Sequence, residues 1–164
     1  RPAQRVVITT LEEMDVAARN GIETAVIPGI SSALAAPAAV GIPLTARGES
    51  ESFWVVTGTT MKGGISGDLQ LAAQSTATVV IMMGLKKIRE IMEVFSAHGK
   101  KDMPVAVIEN GTLSTQRSVA GTVSTIADLV SSGNISSPAV IVVGDVVRYA
   151  HEIEKMIARH TGRG

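Results

Sequence analysis

Short, almost uniformly apolar runs recur along this chain, and each stops at a glycine. SFWVVT (52–57) ends at Gly58, ATVVIMM (77–83) at Gly84, PVAVIE (104–109) with Asn110 at Gly111, and SPAVIVV (137–143) at Gly144. Apolar runs this short, without polar alternation, describe strands buried on both faces. Between them lie helical patterns. One starts at about Asp68, with Asp68 as N-cap. Another covers 86–98, with Ile88, Ile91, Met92 and Phe95 on one face and Gly99 as its stop. A third covers 122–132, capped at Thr122 and ended by Gly133. Strands alternating with helices specify an α/β fold, a sheet covered by helices on both faces. Glycine at a strand end lets another backbone or a ligand come close without a Cβ in the way. Ligands of open α/β sheets sit beyond the carboxyl ends of the strands. Turn chemistry alone explains any single one of these glycines; four at one edge point to a small-molecule site.

The remaining chain reads less sharply. Residues 5–9 (RVVIT) and 25–27 are strand candidates. Residues 12–20 form a short helix with Leu11, Met14 and Ala18 on one face and Gly21 as its stop. Residues 46–52 (ARGESES) read as a polar linker or exposed turn, 115–121 as one more short strand, and 149–159 as a helix. The segment 24–45, TAVIPGISSALAAPAAVGIPLT, joins a strand to a Pro-Gly turn and a helix of small residues that starts at Ser31 and Ser32. Serine hydroxyls satisfy free N–H groups at a helix start, and the same groups attract polar ligand atoms. A buried, close-packing connector helix is the plainer alternative. The segment carries no charge and is about as long as a membrane span, yet Pro28, Pro37, Pro43, Gly29 and Gly41 interrupt it and its apolar residues are mostly alanine. It is not read as a span.

Composition excludes several classes of partner. Fifteen basic and fifteen acidic residues cancel, no basic stripe stands out, and Phe53, Trp54, Phe95 and Tyr149 make no base-stacking platform, so nucleic acid is not an expected partner. No cysteine means no disulfide and no thiolate metal site, which fits a reducing compartment. RPAQRVVITT lacks the pattern of a signal peptide, and a cytoplasmic protein is expected. His98, His151 and His160 are far apart, and no metal site is expected. No GxGxxG follows a strand, GTTMKGG (58–64) has the wrong spacing for a P-loop, and GISSA is not a GxSxG elbow.

PGISSALAAPAAVGIPLTARG, then VTG, MMGL, PVAVIENGTLSTQR and SPAVIVVGDVV, in that order and spacing, resemble the uroporphyrinogen-III C-methyltransferases of the tetrapyrrole methylase family. The resemblance runs from about Leu11 to Val147. It implies a tetrapyrrole methylase-like α/β fold, mostly the C-terminal domain with an about five-stranded mixed sheet (49–164), preceded by the end of the N-terminal domain and a connector helix (1–48). It implies S-adenosyl-L-methionine as cofactor, S-adenosyl-L-homocysteine as its product, uroporphyrinogen III as substrate, homodimers, and a place in siroheme or cobalamin synthesis. By matching motif, Ser31, Ser32, Met83, Gly111 and Ala139 fall on cofactor contacts, and Arg117 is a candidate partner for a substrate propionate. A core methionine and a solvated arginine are the plainer alternatives for Met83 and Arg117. No catalytic residue is assigned. The family's GxGPGD-type loop and GGDPxxFGRG segment do not occur in this sequence, and Thr9 stands where the family has its functional arginine, ahead of Glu12 and Glu13. The alternative to an active enzyme is a non-catalytic binding or dimerisation module, or one part of a split enzyme.

Overall fold

The computed structural model describes residues 11–150, so the strand expected at 5–9 and most of the helix expected over 149–159 lie outside it. The chain divides into two compact units, Arg1–Ile30 and Ser31–Gly164.

In the first unit, helix α1 (Leu11–Arg19) begins with Glu12 and Glu13, where the free N–H groups favour negative charge, and ends near Gly21, which takes a left-handed φ of +66°. The expected strand at 25–27 is not formed. A strand is held by its neighbours, and among the described residues none lies alongside; Val26 and Ile27 are exposed instead.

The second unit opens with α2 (Ser32–Ala39). Ser31 is its N-cap, in extended conformation, and its Oγ accepts from the Ala33 N–H at 3.3 Å. Five strands then form one mixed sheet: β1 (Phe53–Thr57), β2 (Thr78–Met82), β3 (Pro104–Glu109), β4 (Arg117–Thr122) and β5 (Ala139–Val143), in the order β1-β2-β5-β3-β4. β1 and β2 are parallel, and the other pairs are antiparallel. Helices α3 (Asp68–Gln74), α4 (Ile88–Ala97) and α5 (Ile126–Ser132) connect them.

The uniform apolarity of the central strands follows from their two covered faces. Val79, Ile81, Val105, Val107, Ile141 and Val143 pack under α3, α4 and α5, where Leu69, Ile91, Phe95 and Ile126 are fully buried. The alternate residues Val80, Ala106, Ile108, Val140 and Val142 pack under α2 and the 3₁₀ turn Asp145–Tyr149, through Ala33, Ala36, Val146 and Val147. β1 differs from the expectation: as an edge strand it leaves Phe53, Trp54 and Val55 about half exposed.

Several local expectations are corrected. Asp68 is the first residue of α3 rather than its cap, a position held by Gly67. Thr122 does not cap α5. It pairs with Pro104 at the end of β4, and the helix begins four residues later, after Thr125. The polar segment 46–52 is not simply an exposed turn. Ala46 and Ser50 form a small bridge, and Ser50 is buried, sharing a 2.9 Å hydrogen bond with Thr78 Oγ and accepting from the Thr78 N–H at 3.0 Å. The four strand-end glycines do not share one edge either. Gly58, Gly84 and Gly111 do, but β5 runs antiparallel to β2 and β3, so Gly144 sits at the opposite edge. In its place β5 brings its own start, 137–139, to the glycine edge.

Candidate functional site

At that edge lies a cavity of about 420 Å³, built from four separate pieces of chain. α2 contributes Ser32 and Ala36. The end of β2 contributes Met82, Met83 and Leu85. The end of β3 contributes Ile108, Asn110, Gly111 and Leu113, and the start of β5 contributes residues 137–140. No charged side chain lines it. Its polar handles are the Ser32 and Ser137 hydroxyls, the Asn110 amide and nearby backbone, set in an apolar wall with two thioethers. Such a lining accepts a flat, largely apolar ligand with a few hydrogen-bonding groups. It holds no carboxylate or imidazole to act as general acid or base.

Backbone geometry explains how these side chains are presented. Met83 has φ +53°, left-handed for a side-chain-bearing residue, and the residue is 66% exposed. Two contacts over-determine that conformation. Thr59 Oγ donates to the Met83 carbonyl at 3.0 Å, and Gly58 lies so close to Gly84 that a Cβ on it would sit 2.5 Å from the Gly84 Cα. After β3 the chain turns through Asn110 (φ +50°) and Thr112 (φ +72°), and the Asn110 N–H donates to the Pro138 carbonyl at 3.0 Å. Gly111, between them, allows α2 to approach: a Cβ there would meet the Ala36 Cβ at 2.5 Å.

Of the residues singled out in the sequence, Ser32, Met83, Gly111 and Ala139 line this one cavity. Ser31 adjoins it as the N-cap of α2, with its hydroxyl given to the Ala33 N–H. Arg117 does not join them. It stands opposite Glu109 in the β3–β4 ladder; its Nε donates to Glu109 Oε2 at 2.7 Å, and its terminal nitrogens donate to the Gly133 and Asn134 carbonyls. Sequence reasoning missed Met82, Asn110 and Pro138 as lining residues, although each is the immediate neighbour of one it had found. It also missed Glu109, whose carboxylate is buried at 3% exposure. The Ser136 hydroxyl bond holds the Glu109 carboxyl below the usual carboxylate range, with Arg117 and the Ser136 N–H adding to it, against the opposing effect of burial. Among the described residues no group of three or more His, Asp or Glu side chains could hold a metal ion, and no helix is long and apolar enough to cross a membrane.

Fold and cavity together define an α/β domain with an open, uncharged cavity at the carboxyl ends of β2 and β3. More narrowly, the chain belongs to the tetrapyrrole (corrin/porphyrin) methylases, whose family profile matches residues 2–127. It is 42% identical over 147 residues to an S-adenosyl-L-methionine-dependent uroporphyrinogen III methyltransferase of Methanosarcina barkeri, covering 87% of this chain and 56% of that protein. It is 38% identical over 156 residues to the uroporphyrinogen-III C-methyltransferase of Bacillus subtilis, covering 91% of this chain and 32% of that protein. The solved uroporphyrin-III C-methyl transferase of Thermus thermophilus, complexed with S-adenyl homocysteine, superposes with a TM-score of 0.67 at 30% identity, over 84% of this chain and 59% of that one. A cobalt precorrin-4 methyltransferase shares the fold, with a TM-score of 0.74 at 24% identity, over 84% of this chain and 58% of that one. The chain thus spans about half the length, or less, of these relatives.

Proposed function

We propose that this chain is the carboxyl-terminal part of an S-adenosylmethionine-dependent uroporphyrinogen-III methyltransferase, and that the cavity is its cofactor site. One observation carries the reading: Ser32, Met83, Gly111 and Ala139, distant in sequence, converge on one uncharged cavity at the strand-end edge. Its volume of about 420 Å³ lies within the range of small-molecule sites, and its two thioethers and close-approach glycine suit a purine and ribose. S-adenosylmethionine, when bound, supplies an electrophilic methyl group on a sulfonium. The chain's own part is alignment and water exclusion: Met82, Met83, Leu85 and Pro138 form the apolar wall, and Ser32 and Asn110 offer hydrogen bonds. The acceptor would be a pyrrole-ring carbon of uroporphyrinogen III, and the product would feed siroheme or cobalamin synthesis in the cytoplasm. A homodimer, with residues 1–48 ending the other domain and 49–164 forming this one, belongs to the same reading.

A second reading is a binding or dimerisation module, or one part of a split enzyme. It rests on Thr9, which stands where the resemblance places the family's functional arginine. Calorimetric titration of the purified chain with S-adenosylhomocysteine tests the cofactor site, and a methyl-transfer assay on uroporphyrinogen III then separates the two readings. Micromolar binding is expected. A folded chain that binds nothing refutes the cofactor site; methyl transfer by the chain rules out the second reading.

A further inference from the structure

Arg117 and Glu109 face each other across the β3–β4 hairpin, and neither lines the cavity. Both instead grip the loop that leads into β5. Arg117 donates to the carbonyls of Gly133 at 3.2 Å and Asn134 at 2.7 Å. Glu109 Oε1 accepts from the Ser136 N–H at 3.1 Å and from the Ser136 hydroxyl. Four hydrogen bonds therefore tie residues 133–136 to the end of the hairpin, and the Arg117–Glu109 pair joins them into one unit. Asn134, inside the gripped loop, has φ +48°, a conformation that persists where the surroundings over-determine it.

The residues on either side of this clamp are cavity walls. Asn110 and Gly111 follow Glu109 directly, and Ser137, Pro138 and Ala139 follow Ser136 directly. We infer that Arg117, acting through Glu109, is a positioning residue that sets the spacing of these two walls without touching what lies between them. The inference rests on the reading of the cavity as a cofactor site. It assigns Arg117 a role different from a salt bridge to a substrate carboxylate, since each of its three guanidinium nitrogens already has an acceptor. A planar fork that serves one carboxylate and two carbonyls at once is a task for arginine, not lysine.

The test titrates S-adenosylhomocysteine and, separately, uroporphyrin III into the 164-residue chain and its Arg117→Met and Arg117→Lys variants. Amide hydrogen exchange is followed in parallel. Arg117→Met is expected to bind S-adenosylhomocysteine roughly tenfold more weakly, the scale of losing charge-assisted hydrogen bonds. Exchange should quicken at 133–140 while α2 and β2 keep their parental rates, and lysine should recover only part of the affinity. Parental S-adenosylhomocysteine affinity in Arg117→Met overturns the inference. So does a loss confined to uroporphyrin and restored by lysine, which is the signature of a direct carboxylate contact. If the parent chain itself binds no S-adenosylhomocysteine, the cofactor reading fails; unchanged exchange at 133–140 in Arg117→Met then overturns the clamp independently.

Discussion

Replacing Gly111 by alanine tests the close approach of α2 to the end of β3. The new Cβ would lie 2.5 Å from the Ala36 Cβ, 3.0 Å from the Ala36 Cα and 3.5 Å from Ile108 Cγ2. Carbon atoms rest at about 3.5–4.0 Å, so the helix or the turn must give way by roughly 1 Å. Ala36 has no flexible end that can swing aside, and overpacking of this kind costs about 1–3 kcal/mol. Alanine also restricts the unfolded chain, which returns about 0.4–1 kcal/mol where the backbone conformation is compatible. The net loss is about 1–2 kcal/mol, or a fall of about 2–8 °C in Tm for a domain of this size. Thermal and urea denaturation measure it. The cause is isolated by the double variant Gly111→Ala with Ala36→Gly. Glycine at 36 alone costs about 1 kcal/mol in helix propensity, but it removes the nearest clash, so the two changes should cost less together than their sum by at least about 0.5 kcal/mol. Strict additivity, or a Gly111→Ala chain as stable as its parent, would show that α2 is not packed against this turn as described. Because Ala36 and Gly111 both line the cavity, the single variant should also weaken S-adenosylhomocysteine binding.

Three further outcomes are expected. The Glu109 carboxyl titrates below its unfolded value, so its contribution to stability is fully present above the unfolded value and disappears as pH falls through the lower folded one. Glu109→Gln should therefore flatten the acid limb of a stability–pH profile, and an unchanged limb contradicts the assignment. Ser50→Ala leaves the buried Thr78 hydroxyl without its partner, while the Thr78 N–H keeps the Ser52 carbonyl at 3.1 Å, and should lower the urea midpoint by the equivalent of about 1 kcal/mol; a change below about 0.5 kcal/mol would count against the buried pair. Met83→Gly relieves a left-handed φ worth about 1–2 kcal/mol while adding about 0.5–1 kcal/mol of chain entropy, so stability should hold or rise by up to about 1 kcal/mol. Cofactor binding should drop all the same, and retained affinity would remove Met83 from the site.

What the sequence disclosed was local and covalent in origin. β3 was legible to the residue, because Pro104 opens it, Asn110-Gly111 closes it, and nothing polar interrupts it before Glu109. The helix start at Ser31 and Ser32 is legible for the same reason, since hydroxyl, N–H and helix start lie within three residues; which of the two serines is the cap is not. What stayed hidden depends on strand direction and pairing. Nothing in SPAVIVVG says that β5 runs against its neighbours, and it is this direction that puts Gly144 at the far edge and 137–139 beside Gly111. Thr122 has the chemistry of a cap, but pairing with Pro104 keeps it in the sheet. Arg117 exposes half its side chain and reads as available until its register with Glu109 is known. Exposed apolar residues of β1 follow from its place at the edge, which no window of sequence encodes.

The strand order has a consequence for how the protein is made. β5 is the last of the described strands, yet it lies in the middle of the sheet, between β2 and β3. While a ribosome is still delivering residues before 139, the described strands can pair only as two separate ribbons, β1 with β2 and β3 with β4, each with an open apolar edge. Open edges of this kind pair readily with other chains, so this interval is where chaperone protection matters most. Closure requires contacts between strands far apart in sequence, which makes it slow as well as late. The cavity wall at 137–140 arrives in the same step, so the cavity is complete only once β5 has docked.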